Sequence, residues 1–204
     1  QQPVLLRAHR HARARVGVQH AADVVAAGVD RAVDDEAGRI DRIRRVAELG
    51  IADQVVETNA AAVEGADLVI VCIPVGACGA VAKEIGPHLA PGAIVSDVGS
   101  VKGSVVRDMA PHLPKTVHFI PAHPVAGTEY SGPDAGFAEL FVNRWCILTP
   151  PDGADKKAAD KLASFWRLLG ANVETMAPDH HDLVLAVTSH LPHLIAYTIV
   201  GTAD

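Results

Sequence analysis

Ala66-Asp67-Leu68-Val69-Ile70-Val71-Cys72-Ile73-Pro74 is the stretch on which the fold turns. From Leu68 to Ile73 every residue is apolar, without alternation, and most are β-branched. That is the pattern of a strand buried on both faces of a parallel sheet. Pro74 has no N–H for a ladder and ends the run. Working outward, residues 75–89 predict a helix closed by Pro91-Gly92, and 93–98 a second buried strand. Downstream come a helix over 101–113, a strand over 117–121, a loop-rich segment over 122–141 and a strand over 145–149. A helix over 155–169, stopped by Gly170, and a strand over 172–176 complete this series. Upstream, a helix ends near Gly50, a short strand covers 54–57, and a small helix covers 59–65 with Asn59 as its N-cap. Strands alternating with helices predict an α/β fold with a Rossmann-like parallel sheet over 45–178. After Pro178 the alternation stops. Residues 179–204 read as one long apolar helix, the start of a second, all-helical domain.

Composition narrows the function classes. The chain has 204 residues, 49% hydrophobic and 21% charged, which suits one globular domain plus part of another. No apolar run is read as long enough to span a bilayer, and no secretory pattern is visible, so a cytoplasmic protein without a membrane partner is expected. A formal charge of −6 argues against a general nucleic-acid partner. Cys72, Cys78 and Cys146 are too scattered for disulfides or zinc and read as small apolar core residues. One break stands out: nine of the twelve arginines lie in residues 1–45, whereas all six lysines and all eight aromatics come later. Residues 1–44 therefore read as an atypical segment, a different kind of sequence from the rest.

In an open parallel sheet, ligands sit beyond the carboxyl ends of the strands. Three polar clusters fall at such ends: Cys72-Ile73-Pro74-Val75, Asp97-Val98-Gly99-Ser100-Val101-Lys102, and His118 to Glu129, which contains His123-Pro124-Val125-Ala126-Gly127-Thr128-Glu129. A fourth, Ser189-His190-Leu191-Pro192-His193, lies within the terminal helix. In this order and spacing, over about residues 46–204, the clusters resemble the prephenate/arogenate (cyclohexadienyl) dehydrogenases. The resemblance implies an NAD- or NADP-dependent oxidoreductase of tyrosine biosynthesis. Its substrate, prephenate or arogenate, is a cyclohexadiene with a ring hydroxyl and a ring carboxylate. Hydride loss and decarboxylation give 4-hydroxyphenylpyruvate or tyrosine. His123 matches the family's catalytic histidine, a role suited to an imidazole that titrates near neutrality. Ser100 matches the serine between cofactor and substrate hydroxyl. Gly127, Thr128, Ser189, His190 and His193 match substrate-binding positions; Ile73, Pro74, Val75 and Gly99 line the cofactor side. The family also forms homodimers, through helices beyond the equivalent of Asp204 that supply a carboxylate-binding arginine.

Each residue has a plainer reading. Ser100 could cap the helix beginning at Val101. His190 and His193, three apart, could be a polar stripe or half of a metal site, although no third ligand sits at the right spacing and no metal is expected. His180 and His181 read as an exposed helix start, and Lys102 as a solvated or structural lysine. A 3-hydroxyacid dehydrogenase-like enzyme and a non-catalytic remnant are the alternatives; the first needs a lysine base where this helix offers Ser189, His190 and His193. The chain departs from the family in having no Gly-x-Gly-x-x-Gly turn, the feature that brings a pyrophosphate to a helix N-terminus. Asp41 is the nearest acidic candidate for the ribose but sits too close to Gly50. A self-correcting reading-frame error over 1–44 would account for this segment. Weak cofactor binding, low turnover and poor solubility are expected of the chain as written.

Overall fold

The computed structural model describes residues 5–8, 24–27, 36–52, 54–56, 58–127 and 132–203. Its elements run β1 (Leu5–Ala8), β2 (Val24–Ala27), α1 (Glu36–Leu49), β3 (Gln54–Val56), α2 (Asn59–Val63), β4 (Leu68–Val71), α3 (Cys78–Ile85), β5 (Ile94–Asp97) and α4 (Lys102–Met109). Then follow β6 (His118–Phe119), β7 (Ala122–Pro124), β8 (Trp145–Leu148), α5 (Lys156–Leu168), β9 (Asn172–Thr175), α6 (Pro178–Leu185), a π segment (Ala186–His190) and α7 (Leu191–Ala203). Six strands form one sheet in the order β3-β1-β2-β4-β5-β6. The run β2, β4, β5, β6 is parallel, as a Rossmann-like sheet requires. β1 is antiparallel to both its neighbours, β2 and β3, so the first unit of the sheet is atypical.

The apolar run at 68–73 does what its composition dictates. All four residues of β4 are buried, and successive side chains point to opposite faces. Val69 and Val71, with Val95 of β5, pack against Ala62, Val81, Ile85 and Met109 from α2, α3 and α4. Leu68, Ile70 and Ile94 face the other way, onto Ala122, Cys146, Leu148, Leu162 and Trp166. That second layer is a three-stranded sheet, β7-β8-β9, antiparallel then parallel, backed by α5. Burying each such Val, Leu or Ile side chain contributes roughly 1.5–3 kcal/mol, so the sheet edge that carries the polar clusters rests on two packed cores.

Several boundaries differ from the sequence expectations, each for a physical reason. The strand expected at 117–121 is only His118–Phe119, paired with β5, and Ala122–Pro124, expected to open a loop-rich segment, is a strand of the second sheet. Pro121 lies between them and has no N–H to continue a ladder. The cap of α2 is Thr58, whose hydroxyl accepts from the Ala61 N–H, rather than Asn59, which is buried and donates from Nδ2 to Glu84 (2.7 Å). Asp155 caps α5 by accepting from the Ala158 N–H at 2.8 Å. No apolar run is expected to be long enough to span a bilayer, but the helix Pro178–Thr202 is 25 residues long and apolar enough to cross one by length and composition alone. Its first turns nevertheless pack against α4 through buried polar groups, described below.

Candidate active site

The site is built on Asp97, the last residue of β5. Its carboxylate is buried and accepts three hydrogen bonds, from Lys102 Nζ (2.5 Å) and the Gly99 N–H (2.8 Å) on Oδ2 and from the Ala122 N–H (3.2 Å) on Oδ1, while Lys102 Nζ also donates to the Ala122 carbonyl (2.6 Å). Lys102 is fully buried, contrary to the solvated option, and is therefore structural. Burial pushes the Asp97 carboxyl up and the Lys102 ammonium down, and each opposes the shift of the other. The consequence is spatial. Gly99 precedes Ser100 and Ala122 precedes His123, so one carboxylate ties together the turns bearing both residues. Ser100 is exposed at this edge. Among the described residues it shares no hydrogen bond with His123.

Ser100 does not cap α4. Val101 holds the N-cap position without a side-chain bond. The orphan amides are instead met from far along the chain: Asp182 of α6 accepts from the Lys102 N–H on Oδ1 (2.7 Å) and from the Gly103 N–H on Oδ2 (2.8 Å). Burial would raise the Asp182 carboxyl, but these two bonds and His181 outweigh it and hold it below the usual carboxylate range. A helix N-terminus favours a negative charge for the same reason.

His181 was read as an exposed helix start; it is fully buried. Its Nδ1 lies 2.8 Å from Asp182 Oδ1, and its Nε2 lies 2.9 Å from His123 Nδ1. The two rings meet edge to face with centroids 5.1 Å apart. His123 itself is nearly buried on β7, and its pKa is pushed down to about 4, first by burial and then by His181, Lys102 and His190. His123 is thus neutral at physiological pH. Sequence reasoning missed His181 and Asp182 because their partners lie 58 and 80 positions away. The triplet His180-His181-Asp182 was visible, but nothing local says which histidine turns inward. His180 is exposed.

The other predicted residues are distributed as follows. Ile73 is buried at the end of β4, Val75 is half-buried and Pro74 is exposed. A Cβ at position 99 would meet Val75 Cγ2 at 2.8 Å and Asp97 Oδ2 at 3.0 Å, so only glycine lets the β5 turn lie this close. Gly127 is exposed beyond β7, and Thr128 lies outside the described residues. Ser189 and His190 are half-buried at the end of the π segment, while His193 is exposed one turn on. Asp41 is exposed on α1 and pairs with Arg44 (3.3 Å). Burial raises the thiols of Cys72 and Cys146 to about 12 and of Cys78 to about 11, which leaves them inert. Among the described residues, no three His, Cys, Asp or Glu side chains are placed to hold a metal ion. The region that would carry a phosphate turn, residues 9–23 and 28–35, lies outside the described residues.

Known proteins match this chain over most of its length. The family model of the prephenate dehydrogenase nucleotide-binding domain matches residues 33–175, beginning upstream of Val46, where the motif resemblance was placed. The model of the prephenate dehydrogenase dimerization domain matches residues 177–204. A cyclohexadienyl dehydrogenase of Zymomonas mobilis is 45% identical over 157 residues, covering 77% of this chain and 53% of its own length. A prephenate dehydrogenase of Bacillus subtilis is 33% identical, covering 75% of this chain and 42% of its own. The chain therefore spans about half the length of these curated relatives. Among solved structures, prephenate dehydrogenase from Aquifex aeolicus in complex with hydroxyphenyl propionate and NAD+ superposes with a TM-score of 0.76 at 32% identity. That match covers 94% of this chain and 63% of the other.

Proposed function

The chain belongs to the prephenate dehydrogenase family, and on that premise we propose that it serves the NAD- or NADP-dependent oxidative decarboxylation of prephenate or arogenate in tyrosine biosynthesis. The observation that carries the reading is the shared Asp97 carboxylate, which holds the Ser100 turn and the His123 strand at one sheet edge. His123 takes the proton of the substrate's ring hydroxyl, a task for which a neutral imidazole is required. Ser100, one hydroxyl able to donate and accept, steadies that same hydroxyl. Gly127, beyond β7, borders the substrate, and Thr128 supplies a hydroxyl to it. Ser189, His190 and His193 address its carboxylate and side chain from the terminal helix.

The rim formed by Ile73, Pro74, Val75 and Gly99 is uncharged, with the Ser100 hydroxyl beside it, and this chemistry suits a nicotinamide ring. When bound, NAD(P) supplies the hydride acceptor. The same reading takes 45–178 as the nucleotide-binding unit and 179–204 as the opening of the dimerisation domain. It makes the protein a cytoplasmic homodimer acting on a small molecule. The dimerization-domain match and the exposed apolar face of α7 support the pairing.

The test is product formation from prephenate or arogenate with each cofactor. The expected result is reduced cofactor and carbon dioxide in equal amounts, however slowly formed. Replacing His123 by Asn should lower the rate by about 10²–10⁴-fold, the worth of a general base. No product above a cofactor-free control, or a rate indifferent to H123N, would overturn the proposal.

A further inference from the structure

We infer that His181 and Asp182 are positioning residues that fix the tautomer of His123, leaving its Nε2 as a bare acceptor. The inference rests on the proposed role of His123, but its logic is hydrogen-bond direction alone. Asp182 accepts from two backbone N–H groups (2.7 and 2.8 Å), so its carboxylate is in its acceptor form. The bond at 2.8 Å from His181 Nδ1 is then donated by the imidazole. A neutral imidazole with its proton on Nδ1 has a lone pair on Nε2. The 2.9 Å contact between His181 Nε2 and His123 Nδ1 must therefore be donated by His123. The proton of His123 is thereby held on Nδ1, and its Nε2 carries the lone pair.

The chain of donors begins at a rigid place. Asp182 is pinned by the first turn of α4, His181 is fully buried, and His123 sits in a β-ladder beside Ala122. Other charged or titratable groups near His123 are Lys102 from α4 and His190 from the π segment. Lys102 is committed to Asp97 and the Ala122 carbonyl, so it does not compete for the His123 ring. When His123 Nε2 takes a proton, the new positive charge is met through His181 by the Asp182 carboxylate. No second proton needs to move. This is the logic by which a buried acid orients a catalytic histidine, here with one imidazole interposed.

The experiment is ¹⁵N NMR of the histidine side chains in the full 204-residue chain, without substrate or cofactor, at neutral pH. In the parent chain, His123 should show a protonated Nδ1 and an unprotonated Nε2. His181→Gln, whose amide oxygen can still accept from His123 Nδ1, should keep that signature. His181→Leu, which cannot accept, should lose it and give a mixture containing the Nε2–H tautomer. Where activity can be followed, His181→Leu should lower kcat at least tenfold with little change in KM, and His181→Gln should restore part of it. A parent chain with His123 protonated on Nε2, or a folded His181→Leu chain that keeps the Nδ1–H signature, would overturn the inference. Because the tautomer is read without turnover, an inactive chain with the expected tautomer would count against the proposed reaction and not against this arrangement.

Discussion

His123 resists protonation because charging it means stranding an imidazolium in a nearly closed site beside another imidazole and Lys102. Its folded pKa is about 4 against an ordinary 6.5, so between those values the unfolded chain holds a proton that the native chain does not. Stability is then fully present above about pH 6.5 and falls as pH drops toward 4, by about 3 kcal/mol when complete. His181, also pushed down chiefly by burial, adds to the fall with the same sign. Asp182 contributes only below its ordinary value of 3.8, outside this window. Urea unfolding across pH 7 to 4 should show the decline, and His123→Asn should flatten it. A second prediction concerns Lys102. Replacing it by Met leaves Asp97 buried with only backbone partners, and removal of one member of a buried pair costs about 3–5 kcal/mol. A denaturation midpoint for K102M equal to that of the parent would refute this. The placement of Ser100 and His123 at one sheet edge was legible because each sits in a contiguous polar motif at a strand end. Exposure was illegible where tertiary packing decides it, as at Lys102 and His181, both fully buried.

At the scale of elements, α4 depends on α6. The carboxylate of Asp182 meets two of the four orphan amides of α4, and a capping side chain is worth about 1–2 kcal/mol. Asp182→Ala should therefore speed hydrogen exchange at the Lys102 and Gly103 amides and loosen α6, with β4 and β5 unaffected. Unchanged protection at those amides would contradict the capping role. Close approach sets another limit. A Cβ on Gly86, at the end of α3, would overlap the carbonyl of His112 after α4, so Gly86→Ala should destabilise by about 1–3 kcal/mol in thermal unfolding. The strands β4 and β5 were readable because unbroken apolar runs admit little else. The split between β6 and β7, and the antiparallel placement of β1, were not. Both depend on which neighbour a strand finds, and periodicity carries no information about pairing partners.

Across the whole molecule, the nucleotide-binding part is packed on both faces while the terminal helix is not. Leu183, Val187, Leu191, Leu194, Ile195, Tyr197, Ile199 and Val200 are each at least 48% exposed. An exposed apolar surface of that extent favours association, and these residues fall in the stretch matched by the dimerization-domain model. Light scattering should find a mass that rises with concentration, and Leu194→Lys with Ile199→Lys should return it to the monomer value. The central claim is that the His123 imidazole and the Ser100 hydroxyl face one crevice and receive the same substrate oxygen. Its most direct test is a crystal structure of the chain with 4-hydroxyphenylpyruvate bound. The account predicts the phenolic oxygen within about 3 Å of both His123 Nε2 and Ser100 Oγ. A ligand seated elsewhere, or His123 Nε2 turned from it toward α6, would contradict it.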